Sequence, residues 1–110
     1  MPNTYKSPAQ LVPSANTLST LYTVPSATQV VVSNIHICNF GTTNSNIRIA
    51  VRPNGASISN EHYLFYGLVV SANDTIQLGD GITMDDNDVM SVFSTTASVS
   101  FNLSYAEITE

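Results

Sequence analysis

Val99-Ser100-Phe101-Asn102-Leu103-Ser104-Tyr105 alternates large apolar side chains with small polar ones. A period of two places Val99, Phe101, Leu103 and Tyr105 on one face of a sheet and the serines and Asn102 on the other, which predicts a half-buried strand. The same alternation runs through Ile47-Arg48-Ile49-Ala50-Val51-Arg52 and stops at the turn signal Pro53-Asn54-Gly55. Residues 29–40 are rich in β-branched side chains. A strict period assigns Val31, Ile35 and Ile37 to one face and Val30, Val32, His36 and Cys38 to the other. Apolar groups on both faces predict a central strand, or one whose second face a neighbour covers. Further strands are predicted at 17–24, 63–70, 75–78 and 89–93, separated by Gly, Asn, Asp and Ser clusters. No helical period competes with them. The expected fold is all-β, a single antiparallel β-sandwich or jelly roll of about seven to eight strands over residues 17–110.

Residues 1–16 read differently. Pro2, Pro8 and Pro13 fix their own backbone and push the residues before them toward extended conformations. An extended N-terminal arm is expected, able to span about 50 Å. It either reaches a neighbouring molecule or lies along its own sandwich as an extra edge strand.

The surface these strands present is polar but scarcely charged. Only 11 of the 110 residues are Asp, Glu, Lys or Arg, whereas Ser, Thr and Asn together number 37. Ordinary soluble domains carry about a quarter charged residues. Interface cores are depleted in ions because desolvating them is costly, while a partner or trapped water can satisfy hydroxyls and amides. The composition therefore predicts a building block that sits against other protein. The net charge is −5, and Lys6, Arg48 and Arg52 are the three cations. Three scattered cations against eight acids do not neutralise a run of phosphates, which argues against a nucleic-acid partner and against an anionic membrane surface.

No basic start followed by an apolar run marks a secretory signal, and no stretch approaches the roughly 20 apolar residues of a membrane span. The expectation is synthesis in a cytoplasm and solubility until partners are met. Matches to the glycosylation acceptor pattern at Asn73-Asp74-Thr75 and Asn102-Leu103-Ser104 are ordinary in so Asn-, Ser- and Thr-rich a chain.

Candidate chemistry is sparse. Cys38 is the single cysteine; it cannot form an intrachain disulfide, and in an apolar strand it is expected to be a small buried hydrophobe. His36 lies two residues away on the same strand face, but no Gly-flanked nucleophile or oxyanion loop accompanies the pair, so no catalytic residues are assigned. Asp85-Asp86-Asn87-Asp88, with Asp80 nearby, lacks the alternate acids, central Gly and closing Glu of a calcium loop and is expected to be a turn. No metal or other cofactor is expected. Gly67, inside a strand, marks a bulge or a close approach. Arg48 and Arg52 share a solvent-side face, placed either to pair with Glu61 or to dock an acidic partner. Tyr63 and Phe65 share a face expected to be core, leaving Tyr66 exposed.

Leu21-Tyr22-Thr23-Val24-Pro25, Cys38-Asn39, Arg48-Ile49-Ala50-Val51-Arg52-Pro53, Glu61-His62-Tyr63, Asn73-Asp74-Thr75 and residues 101–108 follow one another in an order and spacing that resemble the small β-sandwich accessory virion proteins of tailed bacteriophages. That group includes decoration or cement proteins and small head or tail appendage subunits. The likeness spans nearly the whole chain, through strand edges and turns rather than a site. It implies a non-enzymatic, multi-copy structural protein of the virion, assembled in the host cytoplasm, often a homotrimer when it decorates a capsid, with itself and the major capsid protein or another virion protein as partners. The candidate assembly contacts are Tyr5, Leu11 and Val12 on the arm, and Arg48, Arg52 and Tyr66 on the strands. The alternative is a glycan- or receptor-binding module of a phage head or tail fibre, built on Tyr66 and the Asp85 to Asp88 loop.

Overall fold

The computed structural model describes the backbone of residues 3–79 and 81–109, and the side chains of residues 9–79 and 81–108. Two antiparallel sheets pack face to face as a β-sandwich. Nine strands are formed among the described residues: β1 (Asn3–Leu11), β2 (Ser19–Thr23), β3 (Thr28–Asn39), β4 (Ser45–Arg52), β5 (Tyr63–Val70), β6 (Asp74–Leu78), β7 (Thr83–Met84), β8 (Val89–Ser94) and β9 (Val99–Thr109). One sheet runs β1-β9-β3-β6, with β7 also paired to β3, and the other runs β2-β8-β4-β5. The predicted strands are all present, and the structure adds β1 and the two-residue β7. A two-residue strand carries too little pattern to read.

The core follows the alternation. Val99, Phe101 and Leu103 of β9 are buried, as are Ile47 and Ile49 of β4, and they meet Ile35, Ile37, Val70, Met90 and Val92 between the sheets. In β3 the expected face assignment needs correcting. Val30, Val32, Ile35 and Ile37 are all buried, whereas Val31 is exposed. The register against β9 shifts between Val32 and Asn34. One extra residue at a bulge flips the phase of everything beyond it, so both halves of β3 point their large apolar groups inward. The strand is central, as predicted, paired to β9 on one side and to β6 and β7 on the other. Cys38 moves with this shift. It is half-buried on the outer face, opposite Thr75 and Ser100, rather than in the core.

The arm takes the second of its two placements in this single chain. Asn3–Leu11 pairs antiparallel with β9, from Asn3 opposite Ile108 to Leu11 opposite Phe101, and the register slips between Lys6 and Ala9 around Pro8. Proline has no N–H to donate, so an edge strand with a bulge is where it is tolerated. Without β1 the eleven-residue β9 would leave one row of backbone groups unpaired. Beyond Leu11 the chain crosses to the other sheet, with Pro13 buried and the Asn16 N–H bonded to the Ser94 carbonyl at 2.8 Å.

A polar node closes one end of the sandwich. Asn39 is fully buried. Its Nδ2 donates to the Thr43 carbonyl at 2.8 Å and to the Val70 carbonyl at 3.0 Å. Its Oδ1 accepts from the Gly41 N–H at 3.0 Å and the Ser98 hydroxyl at 3.2 Å. Ser98 continues through Thr96 to Ser45. A buried amide is tolerable only when its donors and acceptors are met, and here all of them are.

Candidate functional site

The outer face of the second sheet carries the most chemically distinctive cluster. Arg48 of β4 lies opposite Tyr66 of β5 and opposite Phe93 of β8 in the strand register. Its guanidinium carbon sits 4.2 Å from the centroid of each ring. Cross-strand neighbours on one face are within side-chain reach, so three adjacent strands present a Phe93, Arg48, Tyr66 stack. The ring quadrupoles attract the cation from both sides.

Two bulges shape β5 around this stack. Register against β4 shifts once at Gly67 and again at Leu64. Gly67 has φ +79°, and a Cβ there would meet nothing within 4 Å. Of the two roles open to it, the bulge is the one observed, since the left-handed backbone and not crowding requires glycine. The Leu64 bulge separates Tyr63 from Phe65. Phe65 packs against the core, whereas Tyr63 joins Tyr66 in an edge-to-face contact with centroids 5.0 Å apart. The expectation that Tyr63 and Phe65 share a face fails because a strict period of two does not survive a bulge. Tyr66 is 64% exposed, and Asn60, Tyr63 and Tyr66 line a shallow open depression beside it.

Arg52 stands on the same face but is engaged otherwise. Its Nε donates to the Ser91 hydroxyl at 3.2 Å and its Nη1 to the Ala56 carbonyl at 3.0 Å. Neither arginine takes the Glu61 pairing that the sequence left open: Arg48 is held by rings and Arg52 by a hydroxyl and a carbonyl. None of the described hydrogen bonds uses the Arg48 guanidinium. No buried side-chain N or O among the described residues lacks a partner, so the Arg48 guanidinium nitrogens reach the surface.

The remaining candidates fall elsewhere. Leu11 is half-buried against the core, and Val12 is exposed. Both border a second shallow depression with Gln10, Ser100, Phe101 and Asn102, where β1 leaves the first sheet. The backbone of Tyr5 lies opposite Ala106; its side chain is outside the described residues. The six candidate contacts thus divide between an arm set on the first sheet and an Arg48, Arg52, Tyr66 set on the second. Phe93 and Asn60 were missed. Phe93 had a legible signal, since it shares the parity of Ser91 rather than that of Met90 and Val92.

The acidic run is a turn. Asp88 accepts from the Asn54 and Asp85 backbone N–H groups at 2.9 and 3.0 Å, and Asn87 takes φ 65°. Among the described residues no three His, Cys, Asp or Glu side chains converge as a metal site would require; Asp80 lies outside them. His36 and Cys38 share the outer face of the first sheet, and His62 accepts the Ser59 N–H at Nδ1 within a short 3-10 turn. Comparison with models of known protein families and with curated proteins finds no match.

Proposed function

We propose that this chain is a non-enzymatic structural subunit of a tailed-bacteriophage particle, a decoration or cement protein that assembles as a small oligomer, a homotrimer, on the shell protein. The observation that carries this reading is the kind of surface the sandwich offers. Edge strand β5 has no charged residue and leaves Leu64, Tyr66 and Val69 46%, 64% and 53% exposed. Natural sheet edges are ordinarily guarded by charges, Pro or bulges against pairing with another chain; β5 carries two bulges but neither a charge nor a Pro. A partner can cover such an edge without stripping ions of water.

The arm supplies a second route to the same end. β1 is held at the β9 edge by main-chain pairing, and the identical edge of a neighbouring copy offers the same bonds. Exchange of such an element between identical chains costs little because the contacts are preserved. Identical copies repeated over a particle then act together through avidity, and no single contact has to be strong. The test is deletion of residues 2–12, which spares buried Pro13. The shortened chain is expected to keep its sandwich, read by far-UV circular dichroism, and to lose incorporation into particles. Incorporation at full strength would refute the arm's role.

A second reading, a receptor- or glycan-binding module of a head or tail fibre, is favoured by the exposed Tyr66 beside the ring-stacked Arg48. Copy number separates the two. A decoration protein should be present in hundreds per particle, whereas a fibre module should number a few dozen at most, as quantitative mass spectrometry of purified particles would read.

A further inference from the structure

We propose that the Phe93, Arg48, Tyr66 stack and the depression beside it bind a carboxylate-bearing sugar, a uronic or nonulosonic acid residue of a glycan. This deepens the receptor-binding reading of that face and rests on it, as the alternative to an oligomer that covers the same β5 residues.

The Arg48 guanidinium carbon lies over both rings, 4.2 Å from each centroid. What remains is its rim of N–H donors, which no described hydrogen bond uses and which solvent reaches. A guanidinium rim matches a carboxylate in two parallel hydrogen bonds, a geometry that an ammonium cannot reproduce. The rings already hold the side chain in place, so less freedom is lost when an anion arrives. The neighbouring cation is not equivalent, because Arg52 already donates to Ser91 and Ala56.

The class of acid follows from what adjoins the stack. Asn60, Tyr63 and Tyr66 line the depression, offering an amide, two phenolic hydroxyls and an aromatic surface with no aliphatic side chain. Those groups suit a ring that is apolar on its C–H face and hydroxylated around its edge. An Asp or Glu side chain from a protein would satisfy the rim of Arg48 but leave this surface without a complement. Arg48 and Arg52, two of the three cations of the chain, stand on this face.

The probes are sialyllactose and a glucuronic-acid-terminated oligosaccharide, with lactose as the neutral control and an acetylated Asp-Glu peptide as the protein-like control. Titration calorimetry and the NMR signal of the Arg48 Nε–H report binding to the full-length chain. At least one acidic saccharide is expected to bind and to shift that signal, with lactose at least about tenfold weaker, as loss of a charge-assisted pair implies. R48Q should abolish the preference, and Y66A should weaken binding of the same saccharide. R48K, which keeps the charge between the rings, should also lose about tenfold, and it guards against a folding defect in R48Q. Equal binding of lactose and the acidic saccharides would overturn the carboxylate assignment while keeping the receptor reading. Peptide binding as tight as the saccharide would overturn it in favour of a protein partner, and no binding by any probe would overturn the acidic-sugar assignment, leaving the receptor reading to the copy-number test.

Discussion

The Tyr22 hydroxyl donates a hydrogen bond to the Glu107 carboxylate, joining β2 of one sheet to β9 of the other. Tyr105 of β9 packs against Tyr22, the rings tilted 43° with centroids 4.4 Å apart, so an aromatic pair and a carboxylate clasp one end of the sandwich. Burial, then the hydrogen bond to Glu107 and that residue's negative charge, hold the Tyr22 hydroxyl well above the ordinary tyrosine range. Tyr105 is raised as well, by burial and by the Glu107 charge.

This clasp fixes the sign of the alkaline response. A folded-state pKa raised above the unfolded value leaves stability intact below the unfolded pKa, about 10 for tyrosine. Above it the unfolded chain loses its proton first, and stability falls as pH climbs toward the folded value. Urea denaturation across alkaline pH should therefore show a plateau followed by a decline beginning near pH 10. Y22F should lose about 1 kcal/mol at neutral pH and decline less steeply. An alkaline limb identical to that of the parent would separate Tyr22 from the effect.

Asn39 should be among the least replaceable polar residues of the core. N39A strands the Val70 and Thr43 carbonyls, the first of them in a buried bond, at an expected cost of about 2–4 kcal/mol. N39D is close in size but has no N–H to donate and buries a charge, so it should be no milder. Denaturant midpoints at unchanged m-value check both.

Gly41 owes its identity to crowding. A Cβ built there would lie 2.4 Å from the Ser98 Oγ and 2.7 Å from its Cβ. G41A is expected to lose about 1–3 kcal/mol through overpacking. S98G in the same chain removes both clashing atoms, so G41A/S98G should recover part of the loss relative to S98G alone. A double-mutant cycle with no coupling would contradict the contact.

Most of the fold was legible because alternation is a direct imprint of a two-faced sheet. The period of two located β4 and β9 and the apolar residues they bury, while β5 was legible from its β-forming residues and flanking turn clusters. It failed where a strand carries one residue too many. The irregularity between Val32 and Asn34 inverted the faces of half of β3, and the bulge at Leu64 moved Tyr63 from expected core to outer surface. Of these bulges only Gly67 announced itself, because a left-handed backbone selects glycine; nothing in the composition of Ser33 or Leu64 marks an extra residue. The candidate site was half visible. Arg48, Arg52 and Tyr66 followed from parity, but the stack depends on register between three strands, which no local pattern encodes. The arm was legible as extended chain, while its seat on β9 is a long-range pairing.

Sedimentation velocity of the full-length chain from micromolar to near-millimolar concentration, with amide hydrogen exchange on the same samples, tests most directly whether this ion-poor surface is built to be covered by other copies. A reversible shift to one closed oligomer, a trimer, with protection appearing along Tyr63–Val70, is the predicted result. A monomer at every concentration, with that edge exchanging freely throughout, would contradict it.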